Sequence, residues 1–319
     1  MKGLKSLLII SMCALTFSLS AQTSITDANL KFNAGVELAA TDPMGAVKVF
    51  EECVALCVQV GDEAVETKGR AEKQITSIYL NEATNLYNSK DFAAAVVKFE
   101  ESVKVSEKYG DTESKEKAVE MITTCNLMNG TANLKAKKYA EAVACFDKVI
   151  AANENDAKAY FYKGLALKGA NDEEGMLAAF NAVIEKDASG KLAGKAKSQI
   201  GKHYYNSGVA ALKGKKYAEA VPNLEKAIEY LGENAKILTM IATSCKETKE
   251  FDKGIEASLK AIELQKGDVN AVAKLNFTLA QIYHAKGDTD LACETYKKAE
   301  VGPVAANAKY QREVVLKCK

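Results

Sequence analysis

The stretch KKYAEAVACFDKVI, residues 137–150, returns almost unchanged as KKYAEAVPNLEKAI at residues 215–228. Weaker versions read TDPMGAVKVFEECV from Thr41, KDFAAAVVKFEESV from Lys90, NDEEGMLAAFNAVI from Asn171, KEFDKGIEASLKAI from Lys249 and KGDTDLACETYKKA from Lys286. In each copy a small or compact residue is followed four residues later by a larger one in most cases, then three later by a small or β-branched one. The triplets are Ala46/Phe50/Cys53, Ala95/Phe99/Ser102, Ala142/Phe146/Val149, Met176/Phe180/Val183, Ala220/Leu224/Ala227, Gly254/Ser258/Ala261 and Ala292/Tyr296/Ala299. Spacings of four and three put each triplet on one face of a helix.

Twelve positions before each leading residue stand Ala34, Ala83, Gly130, Gly164, Gly208, Ala242 and Ala280. All are Gly or Ala, the residues two helices need where their axes approach to about 8–10 Å. The repeated unit is therefore a helical hairpin, with a small contact on the first helix facing a small one on the second. The larger residue of the triplet fills the space beside them.

These features resemble the tetratricopeptide repeat family, whose unit is two antiparallel helices in about 34 residues. The resemblance runs through nearly the whole chain after Asp27. It implies an all-α, right-handed superhelical solenoid of about seven hairpins, with residues 22–303 as the array and 304–319 as a C-terminal capping helix. Two intervals between leading residues match the family length, Ala142 to Met176 and Ala220 to Gly254. Others are longer, and the added residues (DEAVETKGRAEKQ from Asp62, DTESKEKAVEMI from Asp111) are helix-favouring. They predict lengthened first helices. The aromatic often found near the start of a repeat is irregular, with Tyr79, Tyr160 and Tyr204 in place but Asn126 and Asn276 elsewhere. Pro222 falls inside a second helix and is expected to kink or loosen it. Gly302-Pro303 is expected to end the last second helix.

Composition agrees with a helical array. The chain of 319 residues has 3 Pro and no Trp, with 43 Lys or Arg against 42 Asp or Glu. That balance argues against a nucleic-acid partner, which calls for a concentrated basic face. Residues 1–21 carry Lys2 and Lys5, then a short apolar run and Ser20-Ala21, the pattern of an export signal. The run is short for a membrane span, which takes about 20 residues. The expectation is an exported protein, most simply periplasmic, with no membrane anchor after cleavage beyond Ala21. Met12 before Cys13 does not suit lipid attachment. Losing the segment removes two Lys and no acid, leaving 41 basic and 42 acidic groups.

Seven cysteines remain, namely Cys53, Cys57, Cys125, Cys145, Cys245, Cys293 and Cys318. An odd number cannot all pair within one chain, and several lie on helix faces predicted to be buried. Cys53 and Cys57 share a face but lack a second half-site, so buried thiols are favoured over a metal. His203 and His284 stand far apart in repeat position. No metal, phosphate-binding or nucleophile motif is present, so no catalytic, cofactor or metal residue is assigned and the expected function is not enzymatic.

The resemblance implies a binding groove lined by first helices. Counting from the small contact, the positions three before, one after and four after give Leu80, Thr84, Tyr87, Leu127, Thr131, Phe161, Leu165, Lys168, Tyr205, Val209, Leu212, Phe277, Gln281 and His284 as candidates. Thr239, Thr243 and Lys246 occupy the same columns of the sixth unit, and Lys31, Gly35 and Leu38 those of the first. Family members that bind acidic chain ends use paired Lys and Asn here, and that combination is missing. The groove reading therefore favours an extended apolar or helical segment of a protein partner. The alternative is that these columns pack against neighbouring repeats. A glycan-capture role, as in helical-repeat outer-membrane proteins, is the competing functional class, but the chain has no Trp platform for a sugar.

Overall fold

A computed structural model describes residues 24–187 and 190–318. The expected signal, residues 1–21, lies outside the described residues. The chain is all-α and divides into two compact units, Met1–Asn129 and Gly130–Lys319.

In the first unit α1 (Ile25–Ala39) pairs with α2 (Pro43–Val60), and α3 (Val65–Asn88) with α4 (Phe92–Tyr109). Ser24 starts α1 with a capping box: its hydroxyl accepts from the Asp27 amide, and the Asp27 carboxylate accepts from the Ser24 amide at 3.0 Å. Asp42 caps α2 with Pro43 in its first turn, as the Asp-Pro pair predicts. Helix α5 (Thr112–Lys135) begins in this unit. The second unit holds α6 (Tyr139–Ala152), α7 (Ala157–Gly169), α8 (Glu173–Lys186), α9 (Lys191–Lys213), α10 (Tyr217–Leu231), α11 (Ala235–Thr248), α12 (Phe251–Leu264), α13 (Val269–Lys286) and α14 (Thr289–Lys298). The lengthened first helices are observed: α3 and α5 have 24 residues and α9 has 23, against 13 in α7 and 14 in α11.

All seven triplets are buried. Phe50, Phe99, Phe146 and Phe180 are fully enclosed, each contributing about 2 kcal/mol by area removed from water. Six turns between a first and a second helix share one geometry. Lys90, Lys137, Asn171, Lys215, Lys249 and Gly287 take positive φ, and the next residue's amide reaches back five residues, as from Asp172 to the Leu167 carbonyl. That bond satisfies a carbonyl at the helix end and reverses the chain.

The first turn differs. There the Asp42 amide bonds only four residues back, to Leu38, and no residue adopts positive φ. The hairpin closes one residue tighter, which corrects the register expected for this unit. Ala34 is exposed, while Gly35 is buried under the Phe50 ring. Phe32 rather than Lys31 then holds the column three before the contact, with its ring 5.6 Å from Phe50.

One further expectation is corrected, at Gly302-Pro303, and the other special residue, Pro222, is found where it was placed. Pro222 lies inside α10, as its place in the repeat predicts, and the helix continues past it to Leu231. Pro222 is exposed, and so is Ala218, whose carbonyl loses its helical donor and can take one from water. The last second helix ends at Lys298, and Gly302-Pro303 instead opens a 3-10 turn, Gly302–Val304. A proline without an amide suits a helix start better than an interior position. The turn leads into α15 (Ala305–Tyr310) and one wider turn, Gln311–Val315. Ala308 is buried, Arg312 binds Glu300 at 2.5 Å, and Cys318 is joined by a disulfide to Cys293 of α14.

Candidate functional site

The candidate columns meet different fates. In the first unit Leu80 is 9% exposed and belongs to the core with Ala83, Ala95 and Phe99, so it lines no groove. It stands three before Ala83, at the helix contact itself. Thr84 is half-buried and its hydroxyl donates to the Leu80 carbonyl at 2.7 Å, so it is spoken for within its own helix. Tyr87 lies tilted against Phe92 with ring centres 5.7 Å apart, and Leu127 is half-buried.

In the second unit Thr131, Leu165, Val209, Leu212 and Gln281 are half-buried, while Lys168 and His284 are exposed. Lys168 donates to Gln199 at 2.8 Å. The aromatic members turn inward to their own hairpins: Phe161 lies 5.7 Å from Phe180, and Phe277 lies 5.6 Å from Tyr296. Tyr205 is half-buried against the core formed by α9 to α13, with the Lys236 ammonium 5.8 Å from its ring centre. These rings are partly core.

One part of the face opens into a cavity of about 440 Å³. Helices α11 and α13 form most of it, with Leu212 of α9 at one side. Its lining brings together Leu212, Thr239 and Thr243 from the predicted columns. It also takes in Met240, Leu275 and Thr278, together with Lys236 and Lys274, which the column counting missed. Met240 and Thr278 both stand two before the small contact, and Lys236 and Lys274 both stand six before it. The face is wider than three columns, and those further positions carry the same repeat signal.

Net charge concealed a second feature. Helices α7, α9, α11 and α13 carry twelve Lys and one acid, Glu247, whereas α6, α8, α10, α12 and α14 carry thirteen acids and seven Lys. Within the second unit these first helices are basic and the second helices acidic, a sorting that the near-neutral total of the chain does not show.

Three of the buried thiols are held in the protonated form. Burial, then the neighbouring Cys57, pushes the Cys53 thiol up to about 12, and burial alone holds Cys125 at about 11. Burial and, less, Glu250 do the same at Cys245. A thiolate is the form that binds metal or attacks carbon, and these groups stay protonated near neutral pH. Among the described residues no group of three or more His, Cys, Asp or Glu is placed to hold a metal ion. No helix there is long and apolar enough to cross a membrane.

Family models described as tetratricopeptide repeat match residues 127–191 and, separately, residues 202–230, 235–268 and 273–300. These segments, just under half of the chain, match tetratricopeptide repeats. The matched segments fall almost wholly in the second unit, and the hairpins of the first unit repeat the same buried triplets. No curated protein matches the chain. Solved structures similar to it include YrrB, "a TPR protein with an unusual peptide-binding site", at 16% identity over 60% of this chain and 91% of that one, with a TM-score of 0.33. MamA from Desulfovibrio magneticus RS-1 is 21% identical over 56% of this chain and 92% of that one, with a TM-score of 0.31. Likenesses at that level carry no argument about binding.

Proposed function

We propose that the protein is a non-enzymatic interaction scaffold of the cell envelope, which holds a segment of a partner polypeptide against the first helices of its second unit. The cavity between α11 and α13 carries this reading. Its apolar floor of Leu212, Met240 and Leu275, edged by Thr239, Thr243 and Thr278, has the make-up of a peptide subsite: apolar surface for a side chain, and hydroxyls for adaptable hydrogen bonds. Tetratricopeptide hairpins are interaction modules, which supports a binding rather than a catalytic role for this face. The remaining predicted columns, Val209, Leu165 and Gln281 above all, extend the same face along neighbouring hairpins.

Two observations support an oxidising, extracytoplasmic setting: the signal pattern of residues 1–21 and the Cys293–Cys318 disulfide. The test is site-specific photocrosslinking in cells, with the signal intact. A crosslinking residue in place of Met240 or Thr278 should capture the same partner, and one in place of Lys148 on α6 should not. Recovery of no common protein from Met240 and Thr278 sinks the proposal.

A further inference from the structure

We infer that the ligand of this face is an acidic, extended polypeptide, read by a ladder of four lysines. The inference rests on the reading of the face as a polypeptide site and names the chemistry of its occupant. Lys158, Lys202, Lys236 and Lys274 each stand six residues before the small helix contact of their hairpins, at Gly164, Gly208, Ala242 and Ala280. The same register on successive first helices puts them on one line across α7, α9, α11 and α13. All four are exposed.

Like Lys168, Lys191, Lys195, Lys197 and Lys213 of the same helices they lack a counter-charge, and what sets them apart is their shared register on four successive first helices. Lys163 pairs with Asp147 at 2.6 Å, Lys246 with Glu247 at 3.1 Å and Lys286 with Asp252 at 2.8 Å. None of the four ladder lysines forms an ion pair among the described residues. The acids of the second unit lie chiefly on the second helices, where Glu225 and Glu256 serve Lys253 and Lys260. The first unit shows no such sorting, since α3 mixes Glu66, Glu72 and Glu82 with Lys68, Arg70 and Lys73. A row of like charges without partners raises the local potential, and an anionic ligand relieves it.

Lys236 and Lys274 belong to the cavity described above, whose lining contains no carboxylate. The face thus alternates one ammonium per hairpin with apolar and hydroxyl surface. A nucleic acid presents a charge about every 1.7 Å and suits a denser basic face, whereas a peptide can alternate acidic with apolar side chains. Directly packed helices run about 8–10 Å apart. An extended polyproline-like chain rises about 3.1 Å per residue with three residues per turn, so it presents every third side chain at a matching interval. The occupant is a segment with Asp or Glu at every third position and apolar residues between.

The test uses the chain without residues 1–21 and two fluorescent peptides of about fifteen residues, more than the roughly ten that span the three intervals of the ladder at this rise. One has Glu at every third position among Pro and Leu; the other has Gln in place of Glu. Changing Lys202, Lys236 and Lys274 together to Glu should weaken the acidic peptide at least about tenfold, and about 0.3 M salt should weaken it similarly. Changing Lys148, Lys297 and Lys298 together to Glu alters net charge equally on second helices and should shift affinity by less than about twofold. Circular dichroism and melting establish that both variants fold. Equal affinity for the Gln peptide overturns the acidic reading and leaves the polypeptide site standing. Binding of neither peptide, with crosslinks from Met240 still recovered, also overturns the acidic reading alone; loss of both takes the polypeptide site with it. Tighter binding of a single-stranded oligonucleotide or of phosphatidylglycerol vesicles, equally sensitive to the ladder, overturns it in favour of a general polyanion.

Discussion

The ring of Phe180 occupies the space that a side chain on Gly164 would need: a Cβ built there stands 2.8 Å from Phe180 Cε1. Gly130 meets Phe146 and Gly208 meets Leu224 in the same way, at 2.6 and 2.7 Å. The glycine of the first helix and the large residue of the second are one contact, repeated. Gly164→Ala gains about 1 kcal/mol of helix propensity but forces a fully buried ring to move, at about 1–3 kcal/mol. The net change is destabilising. Gly69→Ala is the comparison, since that helical glycine is exposed with nothing within 4 Å, and it should stabilise by about 0.5–1 kcal/mol. Urea midpoints of the two variants should move in opposite directions; a Gly164→Ala variant as stable as the parent contradicts the packing described.

Ser102 takes the third place of its triplet, where other hairpins have Cys53, Val149, Val183 or Ala227. It is fully buried in α4, and neither its hydroxyl nor that of Ser106 one turn on has a hydrogen-bond partner. Burying an unsatisfied hydroxyl costs about 1–3 kcal/mol. Ser102→Ala removes the group, leaves only a small void and favours the helix. Its melting temperature should rise, with about 1 kcal/mol of added stability. A fall would mean that the hydroxyl has a partner such as a buried water.

The hairpins were legible because their signal is redundant. Spacings of four and three survive drift at any single residue, so even Gly254/Ser258/Ala261, with no large side chain, could be placed, and all of it is buried. The extra length between Met176 and Ala220 could be read as helix from its Lys and Ala, and α9 bears this out. What failed depended on geometry outside the repeat. Gly35 was misregistered because one turn lacks the positive-φ residue of the other six, a matter of backbone angle rather than residue type. The Cys293–Cys318 pairing joins a hairpin helix to the closing segment across 25 residues and obeys no spacing. The lysine ladder was present in the letters, yet total charge hid it. Only sorting Lys158, Lys202, Lys236 and Lys274 by helix and column reveals it. The face itself was half legible: Thr239, Thr243 and Leu212 meet at the cavity, while Phe161 and Phe277 are spent on their own hairpins.

The turn residues carry strain that glycine would remove. Lys137, Lys215 and Lys249 have φ of 60°, 57° and 64° and are exposed. A Cβ in this region costs roughly 1 kcal/mol, and the seventh hairpin shows the unstrained solution, Gly287 with φ 93°. Lys249→Gly should therefore stabilise the chain by about 0.5–1 kcal/mol, and Gly287→Lys should destabilise it comparably. The cleanest measurement is amide exchange at Glu250, whose bond to the Cys245 carbonyl closes the turn. Faster exchange in Lys249→Gly than in the parent refutes the assignment of strain.

Asp111 ties the start of α5 to α3. Burial opposes its ionisation, but hydrogen bonds from the Thr76 hydroxyl, from Ser114 and from Lys73 outweigh burial and hold its carboxyl down at about 2. Its side chain is only 10% exposed. A carboxyl depressed from an unfolded value near 3.9 contributes about 2 kcal/mol, present above pH ~4 and lost as pH falls towards ~2. Asp111→Asn cannot ionise, so it should be less stable than the parent at pH 7 by about that amount. The gap should stay constant down to about pH 5, narrow between about pH 4 and 2, and close below. Urea unfolding of both proteins at pH 7, 4 and 3 reads this directly. A gap independent of pH would assign Asp111 a purely steric role at the head of α5.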